Sequence, residues 1–178
     1  MDVRDGQRSA RVENAGRKEV QANGQYLPPG ANTYEEKVVL SLRKLLLTNN
    51  ACYKAGRIIT PKEIMVHSTV ANNPNLRRYV GRDDGLLGNN PNNNHWNQDT
   101  PDGREVCVHA FIGKLADGAV ATYQTLPWNH RGWHCGSGAK GSGNDSHISF
   151  EMCEDGLVDT AYWLENYTCT ILPSRTKA

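Results

Sequence analysis

The chain has 178 residues, with Lys+Arg 20 against Asp+Glu 19 and a hydrophobic fraction of 38%. That suffices for one domain with a real core, and it is too evenly charged to offer a nucleic acid or an anionic membrane a basic face. Its longest apolar stretch, "KVVLSLRKLLL", is broken by Arg43 and Lys44 and is too short to cross a bilayer.

The opening residues, "MDVRDGQRSARVENAGRKEV", are charged and lack the apolar segment of a signal peptide, which points to synthesis in the cytoplasm. Residues 1–32 show no periodicity and close on Pro28, Pro29 and Gly30, as a flexible tail does, leaving 33–178 as the domain. In "TYEEKVVLSLRKLLL", Thr33 suits a cap, and Val38, Val39, Leu42, Leu45 and Leu46 recur at helical spacing, so a helix is predicted. "NNACYKAGR" reads as a loop, "EIMVHST" as a strand and "NPNLRRYVG" as a short helix or turn. After the long Asn/Gly loop "DDGLLGNNPNNNHWN", the runs "EVCVHAFIGKL" and "AVATYQTLP" flank a Gly-containing turn and predict a hairpin. A polar loop, "NHRGWHCGSGAKGSGND", precedes the alternating strand "SHISFEMCED" and the amphipathic "LVDTAYWLENYTCTIL", which stops at Pro173. Helix, strand, hairpin, strand, helix is the order of a mixed α/β (α+β) domain.

Five cysteines, Cys52, Cys107, Cys135, Cys153 and Cys169, are odd in number and contain no CxxC pair. Neither a disulfide scaffold nor a structural zinc knuckle is expected.

Three places could carry chemistry. His67 ends an apolar strand, where side chains project into a site; it is either a metal ligand or an ordinary strand-end histidine. Strand alternation puts Glu151 on one face with His147 and Ser149, opposite Ile148, Phe150 and Met152. There it is either a solvated carboxylate or a general base beside a metal. In "NHRGWHCGSG", Asn129, His130, Trp133 and His134 cluster among glycines, which suits a recognition loop, with Trp133 as a flat face for sugar or peptide. A packed tryptophan is the alternative. Cys135 admits a thiol nucleophile only through its adjacency to His134.

The segments "LLTNNACYKAGRIITPKEIMVHSTVANNPNLRRYVG" and "VCVHAFIGKLADGAVATYQTLPWNHRGWHCGSGAKGSGNDSHISFEMCEDGL" together resemble the zinc-dependent N-acetylmuramoyl-L-alanine amidases of the amidase-2 type, among them phage and prophage endolysins. The resemblance runs from about Leu46 to about Trp163. It implies a mixed sheet flanked by helices, zinc as cofactor, bacterial peptidoglycan as partner and action on the cell wall after release. It also implies roles: His67 as the first zinc ligand, Glu151 as the base that activates water, and Trp133 and His134 bordering the substrate groove, with Asn129 beside them. Some relatives use a tyrosine on the strand entering the hairpin; Cys107 or Val108 stands there instead, which favours Glu151. The family supplies its remaining zinc ligands beyond the last helix, whereas "NYTCTILPSRTKA" contains no histidine and departs from the family from about Leu164. The expectation is therefore an amidase truncated at its C-terminus, or else an inactive or wall-binding remnant of one.

Overall fold

The computed structural model describes residues 42–171, with side chains as far as residue 166. The tail at 1–32, the start of the predicted first helix at 33–41 and the last residues, 172–178, lie outside the described residues.

Where the helical pattern reaches the described chain, sheet pairing overrides it. Leu42–Lys44 form strand β1, lying parallel to Val120–Gln124, here β4. The chain continues alongside, Leu45 N–H donating to the Gln124 carbonyl and Leu47 N–H to that of Thr125. Leu47, which the helical pattern omitted, is fully buried, while Leu42 is 42% exposed. The predicted helix is thus corrected to a strand here: long-range ladder bonds outweigh a local propensity that amounts to tenths of a kcal/mol per residue.

The predicted loop after it contains helix α1, Ala51–Ala55. Asn50 caps it, its side chain accepting from Cys52 N–H, and Gly56 ends it in the left-handed region at φ 59°. Asn50 is wholly buried because its amide also donates to the Trp96 and Val106 carbonyls.

Glu63–Ser68 form β2, Ala110–Lys114 form β3, and His147–Met152 form β7. A small ribbon, β5 Ser137–Gly138 and β6 Gly141–Ser142, stands apart from the main sheet. The main sheet runs β1-β4-β3-β7-β2. Only β3 and β4 are antiparallel, joined through residues 115–119 with Gly118 at φ 87°; the other pairs are parallel. This is the mixed central sheet expected from the sequence. Helix α2, Thr160–Ile171, follows, and no helix among the described residues is long and apolar enough to cross a membrane.

Both faces of the sheet are covered. On one, Phe111, Tyr123 and Ala121 pack with Leu76, Tyr79, Leu87 and Trp96. Phe111 stacks on Tyr79 at 5.2 Å and meets the edge of Trp96 at 5.0 Å. On the other, Ala110, Ile112, Val120 and Phe150 pack with Tyr162 of α2 and with Trp128. The Tyr162 hydroxyl donates to the Cys153 carbonyl at 2.5 Å, which ties α2 to the end of β7.

Gly113 is where β3 comes closest to its neighbours. A Cβ there would lie 2.6 Å from the Pro74 carbonyl oxygen and 2.9 Å from both Cβ and Sγ of Cys153. Backbone cannot yield as a side-chain tip can, so Gly113→Ala is expected to destabilise the protein by about 1–3 kcal/mol. Urea unfolding measures this; an unchanged midpoint would refute the packing argument.

Candidate functional site

The sheet register assembles the site. His67 pairs with Glu151, Glu151 with Phe111, Phe111 with Tyr123, and Tyr123 with Arg43. Registered neighbours share a face, so one row across the sheet reads Arg43, Tyr123, Phe111, Glu151, His67. The carboxylate therefore stands between a buried phenyl ring and an imidazole. The sequence left open whether Glu151 is solvated. It is partly buried, its Oε2 is enclosed with no hydrogen-bond partner, and it borders a cleft of about 560 Å³. Burial, with the Glu154 charge adding to it, raises the Glu151 carboxyl to about 7. Glu154 is itself held in place by a hydrogen bond from the Ser68 hydroxyl.

The cleft is lined by Trp96, by the 104–108 segment through Arg104, Glu105, Val106 and Val108, and by the 133–136 segment bridged to it, Trp133, His134, Cys135 and Gly136. The backbone of Trp133 exchanges two hydrogen bonds with Cys107, at 3.1 and 3.0 Å, and Arg131 lies 5.7 Å from its ring. Its indole is nevertheless 50% exposed. A large aromatic fixed at its backbone and open at its face is what a ligand can stack on.

His134 reaches inward. Its Nδ1 lies 3.2 Å from His67 Nε2, and the rings meet edge to face at 61°. Buried Asn144 fixes this segment: its Oδ1 accepts from the backbone N–H groups of His134 (2.8 Å) and Cys135 (3.2 Å), and its Nδ2 donates to the Cys135 carbonyl (2.8 Å). Burial, with positive charge on His67 and His109 opposing a further proton, lowers His134 to about 4; burial alone lowers His67. Both rings are thus neutral near pH 7. His134 Nε2 is buried, facing the His147 backbone without a hydrogen bond of normal geometry. With Glu151 Oε2 and the Trp96 indole nitrogen, it makes three enclosed polar atoms without partners on residues that line the cleft. Native proteins rarely leave such atoms unpaired; ordered water, an ion or a ligand satisfies them.

Under the cleft lies His109, which sequence reasoning did not single out. It is fully buried. Ser149 N–H donates to its Nδ1 at 3.0 Å, so the ring proton sits on Nε2 and is donated to the His130 carbonyl at 2.8 Å. The ring thereby braces β7 against the loop that carries Trp133 and His134.

The predicted residues therefore separate. Glu151, Trp133 and His134 line one cleft, and His67, not itself among the lining residues, stands beside Glu151 in the sheet and 3.2 Å from His134. Asn129 is exposed and is not among the residues lining it; its carbonyl accepts from Ile59 N–H at 2.8 Å and its side chain meets His130 at 3.3 Å. The Cys135 thiol turns toward Asn144 Oδ1 (3.5 Å) and Ser142 Oγ (3.8 Å). The wall residues Trp96 and Val106 are tied together by the Asn50 amide, which donates to both carbonyls, a long-range link with no local sequence signal.

The chain is similar in sequence to known proteins. The family described as N-acetylmuramoyl-L-alanine amidase, Amidase_2, matches residues 57–171. The amidase XlyA of Bacillus subtilis (strain 168) is 36% identical over 76 residues, covering 38% of this chain and 25% of that protein. The amidase CwlH of the same organism is 48% identical over 48 residues, covering 24% and 19%. The chain thus spans a quarter or less of the length of these curated relatives. Among solved structures, the catalytic domain of XlyA superposes with a TM-score of 0.42 at 27% identity, covering 69% of this chain and 67% of that one. PlyL gives 0.44 at 23%, covering 70% and 64%.

Proposed function

The chain belongs to the N-acetylmuramoyl-L-alanine amidase family, and from that premise we propose that it hydrolyses the amide joining the lactyl group of N-acetylmuramic acid to L-alanine in bacterial peptidoglycan. The observation that carries this reading is the row His67–Glu151–Phe111, which sets an enclosed carboxylate that borders an open cleft beside an imidazole.

Members of the family generally depend on zinc, and the described residues do not complete a site for it. The ring nitrogens His67 Nε2 and His134 Nδ1 lie 3.2 Å apart, within hydrogen-bond reach of each other. Among the described residues no group of three or more His, Cys, Asp or Glu side chains forms a complete ligand set. Zinc bound there would polarise the scissile carbonyl and acidify a water.

This chain's own groups do the rest. Glu151 accepts a proton from the attacking water at its carboxylate and returns it to the departing alanine nitrogen, so the residue ends as it began. Phe111 keeps one flank of the carboxylate dry, and the Glu154 charge holds its proton affinity up, which matches the base to neutral pH. Trp133 offers its face to the glycan or the stem peptide, while Arg104 and Glu105 add opposite charges to the lining of the same cleft.

A second reading, a cleft that binds wall without cutting it, is favoured by the lack of a three-ligand group among the described residues. End-group analysis of digested, purified peptidoglycan separates the two. Amidase action releases new α-amino groups on L-alanine and no new reducing sugars. Co-sedimentation with walls and no new amino groups would support the binding reading instead.

A further inference from the structure

We infer that Cys52 and Cys107 form a dithiol site that reacts with low-molecular-weight disulfides, Cys52 as the attacking thiol and Cys107 as the resolving one, closing to a Cys52–Cys107 disulfide. The inference is independent of the amidase reading and concerns two side chains that the proposed chemistry does not use.

Both cysteines are free in this structure. Placement comes first. Asn50, at the head of α1, donates its amide to the Val106 carbonyl at 2.9 Å, and the Cys52 thiol reaches the Glu105 carbonyl at 3.6 Å. These bonds seat the first turn of α1 on residues 105–107, and the Cys52 and Cys107 thiols stand within hydrogen-bonding reach of each other. Access divides the roles. Cys52 is half-buried and lines a small cavity of about 100 Å³ with Arg57, Glu105, Arg131 and Trp133, where an external disulfide can meet it. Cys107 is fully buried, its backbone paired in both directions with Trp133, so only a neighbouring sulfur can meet it. Reactivity agrees. The hydrogen bond from Cys107 holds the Cys52 thiol below the ordinary value, with Arg131 and the Trp133 backbone assisting against burial and the Glu105 charge. The same hydrogen bond and complete burial push Cys107 up. The more acidic thiol is thus the accessible one, as an attacking cysteine requires.

The Cys52 thiolate attacks one sulfur of the external disulfide, leaving a mixed disulfide and expelling a thiolate that takes up the proton Cys52 has shed. The Cys107 sulfur then attacks Cys52 Sγ, and its proton leaves with the second thiol. Two cysteines are oxidised and one external disulfide is reduced to two thiols. The product closes a long loop containing β2 and fastens α1 to the 104–108 segment of the cleft lining, so it is expected to raise the urea midpoint.

The competing explanation is that the two thiols pack as small apolar groups and stay inert. Exposing the folded full chain to oxidised glutathione and mapping its peptides without reduction decides. The expected result is loss of two hydrogens from the intact mass, a linked Cys52–Cys107 peptide, and a raised urea midpoint that dithiothreitol reverses. Cys107→Ala is expected to stop at one glutathione on Cys52, and Cys52→Ala to leave Cys107 free, whereas Cys135→Ala closes as the wild type does. Should the variants misfold, the wild-type map decides alone. A chain that stays reduced, a glutathione that persists on Cys52 in the wild type, or a bridge to Cys135, Cys153 or Cys169 in place of Cys107 would overturn the inference.

Discussion

Glu151→Gln is expected to lower amide release by about 10²–10⁴-fold, the usual contribution of a positioned general base, while the protein folds as before. Glutamine matches the shape of glutamate and cannot take a proton from water. The same change is expected to raise stability at alkaline pH. The folded carboxyl titrates near 7 and the unfolded one near 4.5. Between those values the unfolded chain loses its proton first, so stability falls as pH rises, by roughly 3 kcal/mol at most. Glutamine removes that slope. A variant that loses activity and melts higher at pH 8 has lost a strained functional group, whereas one that loses activity and melts lower has lost a structural one. Retained activity in Glu151→Gln would remove this residue from the chemistry.

The second large effect concerns His109 and acid. Burial lowers its ring to about 4, against 6.5 in an ordinary histidine. Here the sign is opposite to that of Glu151. Above pH 6.5 both states are neutral and the full contribution is present; as pH falls from 6.5 towards 4 the unfolded chain takes up a proton that the folded ring refuses. About 3 kcal/mol of stability is therefore expected to disappear across that interval. Protonation would place a second N–H against the Ser149 N–H, which already donates to Nδ1. His109→Ala strands that buried donor and the His130 carbonyl, at an expected cost on the order of 3 kcal/mol at neutral pH. Because the ring braces the loop that carries Trp133 and His134, residual activity of a folded variant should fall as well. Urea unfolding across pH, together with an NMR titration of the His109 ring, checks this. A ring that titrates near 6.5 in the folded protein would defeat the argument.

How much of this the sequence shows depends on whether the decisive partners are near or far along the chain. β2, the β3–β4 hairpin, β7 and α2 are legible because alternation, turn chemistry and helical spacing are local. β1 is not, because what makes Leu42–Lys44 a strand is a parallel partner some eighty residues away; its own leucines are spaced as a helix would space them. Helix α1 escapes for another reason: at five residues it is too short to show periodicity, and its Asn50 cap is one asparagine in a polar run.

The site divides in the same way. The motifs around His67, Glu151, Trp133 and His134 point to a groove, and the fold brings the last three to one cleft with His67 directly behind them. Their settings are not legible. Alternation places Ser149 and Glu151 on one face, but only the register shows that this face is covered, with Phe111 on one flank of the carboxylate and His67 on the other. His109 and Asn144, which hold the loop, act through hydrogen bonds across 40 residues in one case and across a glycine-rich turn in the other. A buried histidine and a loop asparagine have no sequence pattern of their own.

The proposed chemistry depends throughout on the cleft holding the Glu151 carboxyl near neutrality. A carbon-13 titration of the glutamate side-chain carboxyls, with Glu151 assigned through Glu151→Gln, measures this in the metal-free protein. The expected midpoint for Glu151 is near 7, well above the ordinary value of 4.5. A midpoint at the ordinary value would show a solvated carboxylate and contradict the role given to it.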